Sequence, residues 1–157
     1  MTDPKARRYW ESSVFIALVK GETNRVEQAQ RILEDAAAGK LEIVTSTWTL
    51  AEVIKAPGEP PLPPEVERKI IDFFENDYVM VIILDRKVAE GARQISREHG
   101  LKPKDAVHLA TAKVAKLDLF ETWDDELVKL TGTLGDPPIR IRHPTWEGQL
   151  PLGSPTG

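Results

Sequence analysis

Apolar positions along this chain fall into two rhythms, short continuous runs and longer stretches in which they recur at helical spacing, and the two alternate almost throughout. "RRYWE" (7–11) reads as a short strand that passes straight into a helix, "SSVFIALVKG", with Ser12 or Ser13 as N-cap and Gly21 as terminator. In "TNRVEQAQRILEDAAAGK" the residues Val26, Ala29, Ile32, Leu33 and Ala36 line one helical face, and Gly39 ends the run. "LEIVTS" is a second strand, followed by the helical "TWTLAEVIK", which Ser46 or Thr47 can cap.

Residues 57–64, "PGEPPLPP", cannot form a regular element, because proline lacks a backbone donor and fixes φ; they predict a loop inside the domain. "EVERKIIDFFEND" resumes a helix on Val66, Ile70, Phe73 and Phe74. "YVMVIIL" is apolar on both faces and predicts a strand in the middle of a sheet covered on both sides. A helix closed by Gly100 follows, then one that Pro103 opens and that runs through Ala115. "LDLFETW" is another buried strand, with a short helix "DELVKLTG" and a last strand near "IRIRH" behind it. This alternation predicts an α/β fold, a central parallel sheet sandwiched between helices, in one domain over residues 1–150 with a flexible tail at 151–157.

With 157 residues the chain has room for a single core, and 41% hydrophobic with 29% charged residues excludes disordered and fibrous classes. No cysteine is present, so disulfides and thiolate metal sites are excluded together. No apolar run reaches the roughly 20 residues of a membrane span, and the first ten residues lack the apolar stretch of a signal peptide; a cytoplasmic location is expected. A formal net charge of −4 offers nucleic acid no global attraction, so any such contact must be local or metal-mediated.

In open α/β sheets the functional crevice lies beyond the carboxyl ends of the strands. Glu11 ends the first predicted strand, Glu52 lies in the helix after the second, Asp105 lies in the first turn of the helix before the fourth, and Asp124 follows that strand. Together they predict a convergent acidic pocket. Two carboxylates at about 4 Å and an effective dielectric near 20 repel by roughly 4 kcal/mol. A divalent cation offsets that repulsion more completely than one proton does, and oxygen ligands without cysteine select Mg²⁺ or Mn²⁺ over zinc. Such an ion suits phosphodiester hydrolysis.

Taken singly, each acid also has an ordinary structural explanation. Asp105 is as well explained by a favourable charge in a helix's first turn, Glu52 by a solvated helix position, and Asp124 or Asp125 by an N-cap of "ELVKL". His108 shares a helix face with Asp105 and either bonds that carboxylate, touches substrate or simply packs. Trp10, Trp48 and Trp123 either stack unpaired bases or belong to the core. Lys102, Lys104 and Lys113 either meet phosphates or solvate their helix. Ala106, Ala110, Ala112 and Ala115 allow that helix a close approach to the sheet.

In order and spacing, "YWESSVFIALVKGE", "STWTLAEV", "LKPKDAVHLATA" and "FETWDDEL" resemble the PIN-domain nucleases, specifically the VapC-type toxins of toxin–antitoxin pairs, over about residues 8 to 130. The resemblance implies a three-layer α/β/α fold and Mg²⁺- or Mn²⁺-dependent endoribonuclease activity. It implies catalytic roles for Glu11, Glu52, Asp105 and Asp124, metal ligands among Glu11, Asp105, Asp124 and Asp125, and substrate contacts from Ser13, Thr122, Lys104 and His108. It further implies a homodimer inhibited by a small antitoxin. The family's first acid is normally Asp, whereas this chain has Glu11; a methylene moves the carboxylate by about 1 Å, enough to cost about a hundredfold in rate. Glu11 therefore also motivates a second expectation, a catalytically impaired domain that binds RNA or protein. A metal-dependent phosphatase on another α/β scaffold ranks low, because the chain lacks a phosphate-cradling glycine loop.

Overall fold

The computed structural model describes residues 5–148, so the expected tail at 151–157 lies outside the described residues. The elements are β1 (Ala6–Trp10), α1 (Ser12–Lys20), α2 (Val26–Ala37), β2 (Leu41–Ser46), α3 (Thr47–Glu52), α4 (Pro64–Glu75), β3 (Val79–Ile82), α5 (Arg86–His99), α6 (Pro103–Val114), β4 (Leu119–Glu121), α7 (Asp125–Val128) and β5 (Arg140–Arg142). The strands form one sheet in the order β3-β2-β1-β4-β5. Every neighbouring pair is parallel, as the alternation predicts.

Successive residues of β1 point to opposite faces, and each anchors its own core. Tyr9 packs with Val88, Ala92, Ile95, Leu109 and Phe120 beneath α5 and α6. Trp10 packs with Val14, Phe15, Ala29, Ile32 and Ile70 beneath α1, α2 and α4. Tyr9 stacks on Phe120 at 4.9 Å between ring centroids, which locks β1 to β4 on the first face. Truncating Trp10, which is fully buried, to alanine would cost about 3–5 kcal/mol by the usual penalty for such cavities. Small residues bring α5 against α6: a Cβ added at Gly91 would lie 3.6 Å from that of Ala110.

Four expectations change. β3 is an edge strand instead of a central one; Met80 is 41% and Ile83 71% exposed. An apolar run reports tolerance of burial, whereas strand order depends on which neighbours pair. Residue 11 is not in β1 but is the N-cap of α1, with its own side chain accepting from Ser13 N, so neither Ser12 nor Ser13 caps. The helix after β2 stops at Glu52, three residues short of Lys55. Pro64, expected in the loop, instead opens α4, where its missing donor is not needed, and residues 57–63 ahead of it form neither helix nor strand.

Candidate active site

Between β1 and β4 the chain order reverses, since β1 connects onward to β2 on one side and β4 lies on the other. A parallel α/β sheet splays open at such a point beyond its carboxyl ends. Glu11 leaves β1 there, and Thr122, Trp123 and Asp124 leave β4. Glu11 Oε1 accepts from Ser13 N at 3.1 Å, from Thr122 Oγ1 at 2.7 Å and from Ser13 Oγ. Thr122 Oγ1 in turn accepts from Asp124 N at 3.0 Å, and Ser13 Oγ from Trp123 N at 2.9 Å. The two hydroxyls therefore tie the first acid to the loop that carries the fourth. Glu11 is 7% exposed and Thr122 0%.

Asp105, half-buried in the first turn of α6, is the acid whose proton affinity reports the cluster. Burial pushes its carboxyl above the ordinary aspartate value; Lys104 pulls the other way, and the charges of Asp124 and Glu11 push it further up. Three carboxylates from α1, α6 and the β4–α7 loop thus share one field. Asp124 also caps α7, its Oδ1 accepting from Glu126 N at 2.9 Å, so its ordinary structural role holds alongside any other.

Glu52 is held differently. Its Oε1 accepts from Ser12 Oγ at 2.7 Å and lies 2.5 Å from His108 Nε2. Burial pushes the Glu52 carboxyl up, but the His108 bond, with Ser12 and Lys104, brings it below its ordinary value. His108 therefore bonds Glu52 and not Asp105, and at 1% exposure, with both ring nitrogens occupied, it has no face for substrate.

Among the described residues no three Asp, Glu or His side chains converge closely enough to form a ready-made ion cage. The donor chemistry still fits a hard cation. An all-oxygen set with a free acceptor on Glu11, carrying more negative charge than Lys104 offsets, matches the way Mg²⁺ is held by few carboxylates while retaining much of its water. It does not match the closed cages of Ca²⁺ or structural zinc.

The remaining candidates separate by contact. Lys104 is exposed beside Glu52 and Asp105, and its charge acts on both. Asp125 is exposed and bonds His143 Nε2 at 2.6 Å. Ser13 and Thr122, expected to meet substrate, direct their hydroxyls to Glu11 and to backbone. Trp10 is a core residue whose Nε1 donates to Glu121 at 2.9 Å. Trp123 lies between the Arg25 guanidinium, 5.2 Å from the ring centroid, and the His143 ring, so it is not an open stacking platform.

Sequence reasoning missed Glu121. It is fully buried and accepts from Arg8, Trp10, Arg142 and Thr145 N, bolting β4 to β1, to β5 and to the segment after β5 directly beneath the crevice. The available signal was a lone charge within an apolar strand, with arginines in two other strands to answer it.

The family model for the PIN domain matches residues 9–132. None of the curated proteins matches the sequence significantly. Among solved structures, a toxin of Mycobacterium tuberculosis, VapC20, which cleaves the sarcin–ricin loop, aligns with TM-score 0.60 at 17% identity over 76% of this chain and 91% of its own. The Salmonella typhimurium VapBC complex bound to DNA aligns at 0.58 and 21% identity, over 87% of this chain and 96% of that one. A toxin–antitoxin complex from Klebsiella pneumoniae gives 0.57 and 22% identity, over 76% and 88%.

Proposed function

The chain belongs to the PIN-domain family, and from that premise we propose that it is a metal-dependent endoribonuclease, the toxin of a toxin–antitoxin pair, hydrolysing RNA phosphodiester bonds at the β1–β4 crevice. The observation that carries the reading is the tie of the Glu11 carboxylate, through the Ser13 and Thr122 hydroxyls, to the loop that bears Asp124, with the charges of both acids acting on Asp105. Glu11, Asp105 and Asp124 would hold Mg²⁺ or Mn²⁺, and Asp125 stands next to them as a further carboxylate. A bound cation supplies charge neutralisation at the phosphate and a water of lowered pKa.

The chain's own residues do the rest. Ser13 and Thr122 hold the Glu11 carboxylate toward the β4–α7 loop. Lys104, exposed at the rim, draws the phosphate backbone toward a protein of net negative charge. Glu52, kept anionic by His108 and Ser12, is placed to accept a proton or orient water. The toxin reading carries with it a small antitoxin that covers the acidic crevice, a homodimeric assembly and a cytoplasmic site of action, where RNA is found. Its support is the likeness of this fold to the VapC and VapBC structures.

The test is RNA cleavage with Mg²⁺ or Mn²⁺, with and without EDTA, by the wild-type chain and Asp105→Asn. Cleavage lost in both EDTA and the variant is expected; cleavage indifferent to both would reject the mechanism. The second reading, an RNA- or protein-binding domain that does not cut, is favoured by Glu11 at the position where the family usually has Asp. RNA affinity without turnover at high protein concentration would select it.

A further inference from the structure

A chain of side chains from four elements runs behind the crevice. Tyr9 of β1, fully buried, places its hydroxyl 2.7 Å from His108 Nδ1 on α6. On the other side of the imidazole, Nε2 meets Glu52 Oε1 at the end of α3, and Ser12 Oγ at the start of α1 approaches both, at 2.7 Å from Oε1 and 3.3 Å from Nε2. The proton order can be worked out from the neighbours. A carboxylate only accepts, and Ser12 Oγ already gives its proton to Glu52 Oε1, so neither group can donate to Nε2. The ring proton therefore sits on Nε2, pointing at Glu52, and Nδ1 is left to accept from the Tyr9 phenol.

From this geometry we infer that His108 is a positioning residue for the reaction: with its ring held between Tyr9 and Glu52, it donates Nε2–H to Glu52 Oε1 and so fixes the direction of the second carboxylate oxygen. Ser12 adds a second donor to Oε1, so both bonds fall on one oxygen and Oε2 is the one left to work. A glutamate at the last residue of a six-residue helix has little else to hold it, since Val53 already leaves helical geometry. Outer partners that aim an active-site ligand in this way typically matter by 10- to 100-fold, about as much as a modest error in the ligand itself.

The inference rests on the reading of Glu52 as part of the site, and two measurements keep the two apart. The first needs no activity: long-range ¹H–¹⁵N correlation of the His108 ring in the full-length chain. A single Nε2–H tautomer is expected in the wild type. An Nδ1–H tautomer, or a ring averaging between both, in the wild type would overturn the inference.

The second measurement compares RNA cleavage by His108→Gln, His108→Leu and Glu52→Gln. Glutamine can present an amide N–H where Nε2 stood, so it should keep kcat within about threefold, while leucine lowers kcat at least about tenfold with KM unchanged. Wild-type kcat in His108→Leu alongside a dead Glu52→Gln would overturn the positioning role and leave the nuclease reading intact. Full activity in Glu52→Gln would remove Glu52 from the reaction and the inference with it, while loss of cleavage in Asp105→Asn would still support the metal-dependent nuclease.

Discussion

Thr122 Oγ1 stands 2.7 Å from Glu11 Oε1, so one buried hydroxyl joins the end of β1 to the loop after β4. Because the same oxygen accepts from Asp124 N, it sets the spacing of two acids at once. Thr122→Val keeps the shape but strands the Asp124 amide and removes a donor from Glu11. A buried polar group left unpaired costs about 1–3 kcal/mol, so urea unfolding should show a loss of that size, and Thr122→Ser should recover most of it. Equal stability of the valine and serine variants would show that the hydroxyl couples nothing.

Glu11 combines a cap with a charge, and two substitutions separate them. Glu11→Gln can still accept from Ser13 N, so stability should stay within about 1 kcal/mol of wild type. It removes one of the charges that raise the Asp105 carboxyl, which should fall in an NMR titration, and it should abolish metal-dependent cleavage. Glu11→Asp, with an ordinary capping residue, should maintain or increase cleavage. A large loss there would mean that reaching Thr122 needs the longer side chain.

Asp105 makes the metal-free fold pH-dependent in a direction opposite to that of a salt-bridged acid. Its folded carboxyl is raised above the ordinary 3.8 by burial and then by Asp124 and Glu11, against Lys104. The folded chain thus holds that proton more tightly than the unfolded chain. The stability tied to it is present below the ordinary value and lost as pH rises through the folded one. At neutral pH Asp105→Asn should melt slightly above wild type, by well under about 1 kcal/mol after solvent screening, and the difference should close on acidification. A variant less stable than wild type at neutral pH would contradict this.

Much of the architecture follows from periodicity, because a parallel sheet with helices on both faces needs the apolar alternation seen from β1 to β5. The placement of Glu11 and Asp124 at one edge was legible for the same reason, since each follows a parallel strand; Asp105 follows α5 and not a strand, so the strand pattern alone did not place it. What local pattern cannot carry is pairing across the chain. Glu52 meets His108 across 56 positions and Glu121 meets Arg8 across 113, and neither match leaves a mark within either segment. β3 was misplaced because its apolar run says nothing of which strand lies beside it. Glu11 as N-cap was missed because glutamate is not among the usual capping residues; here its backbone is extended and its side chain accepts from Ser13 N.

Glu121 is the structural counterpart of the crevice. Its carboxylate is fully buried between Arg8 and Arg142, with side-chain exposures of 8% and 20%. Glu121→Ala leaves the Arg8 charge buried without its partner, which should cost about 3–5 kcal/mol, whereas Arg8→Met with Glu121→Leu should recover much of it. Denaturant midpoints of the single and double variants check this, and a double variant as unstable as Glu121→Ala would refute it.

Binding of Mn²⁺ to the full-length chain, followed by the loss of the free-ion EPR signal during titration, probes the carboxylate cluster itself without RNA. A bound ion in the wild type, with affinity lost in Asp105→Asn and Glu11→Gln and retained in Glu121→Gln where that variant folds, is the expected result. Mn²⁺ held equally well without Asp105, or not held at all by a wild-type chain that cleaves RNA, would contradict the assignment of the crevice as the metal centre.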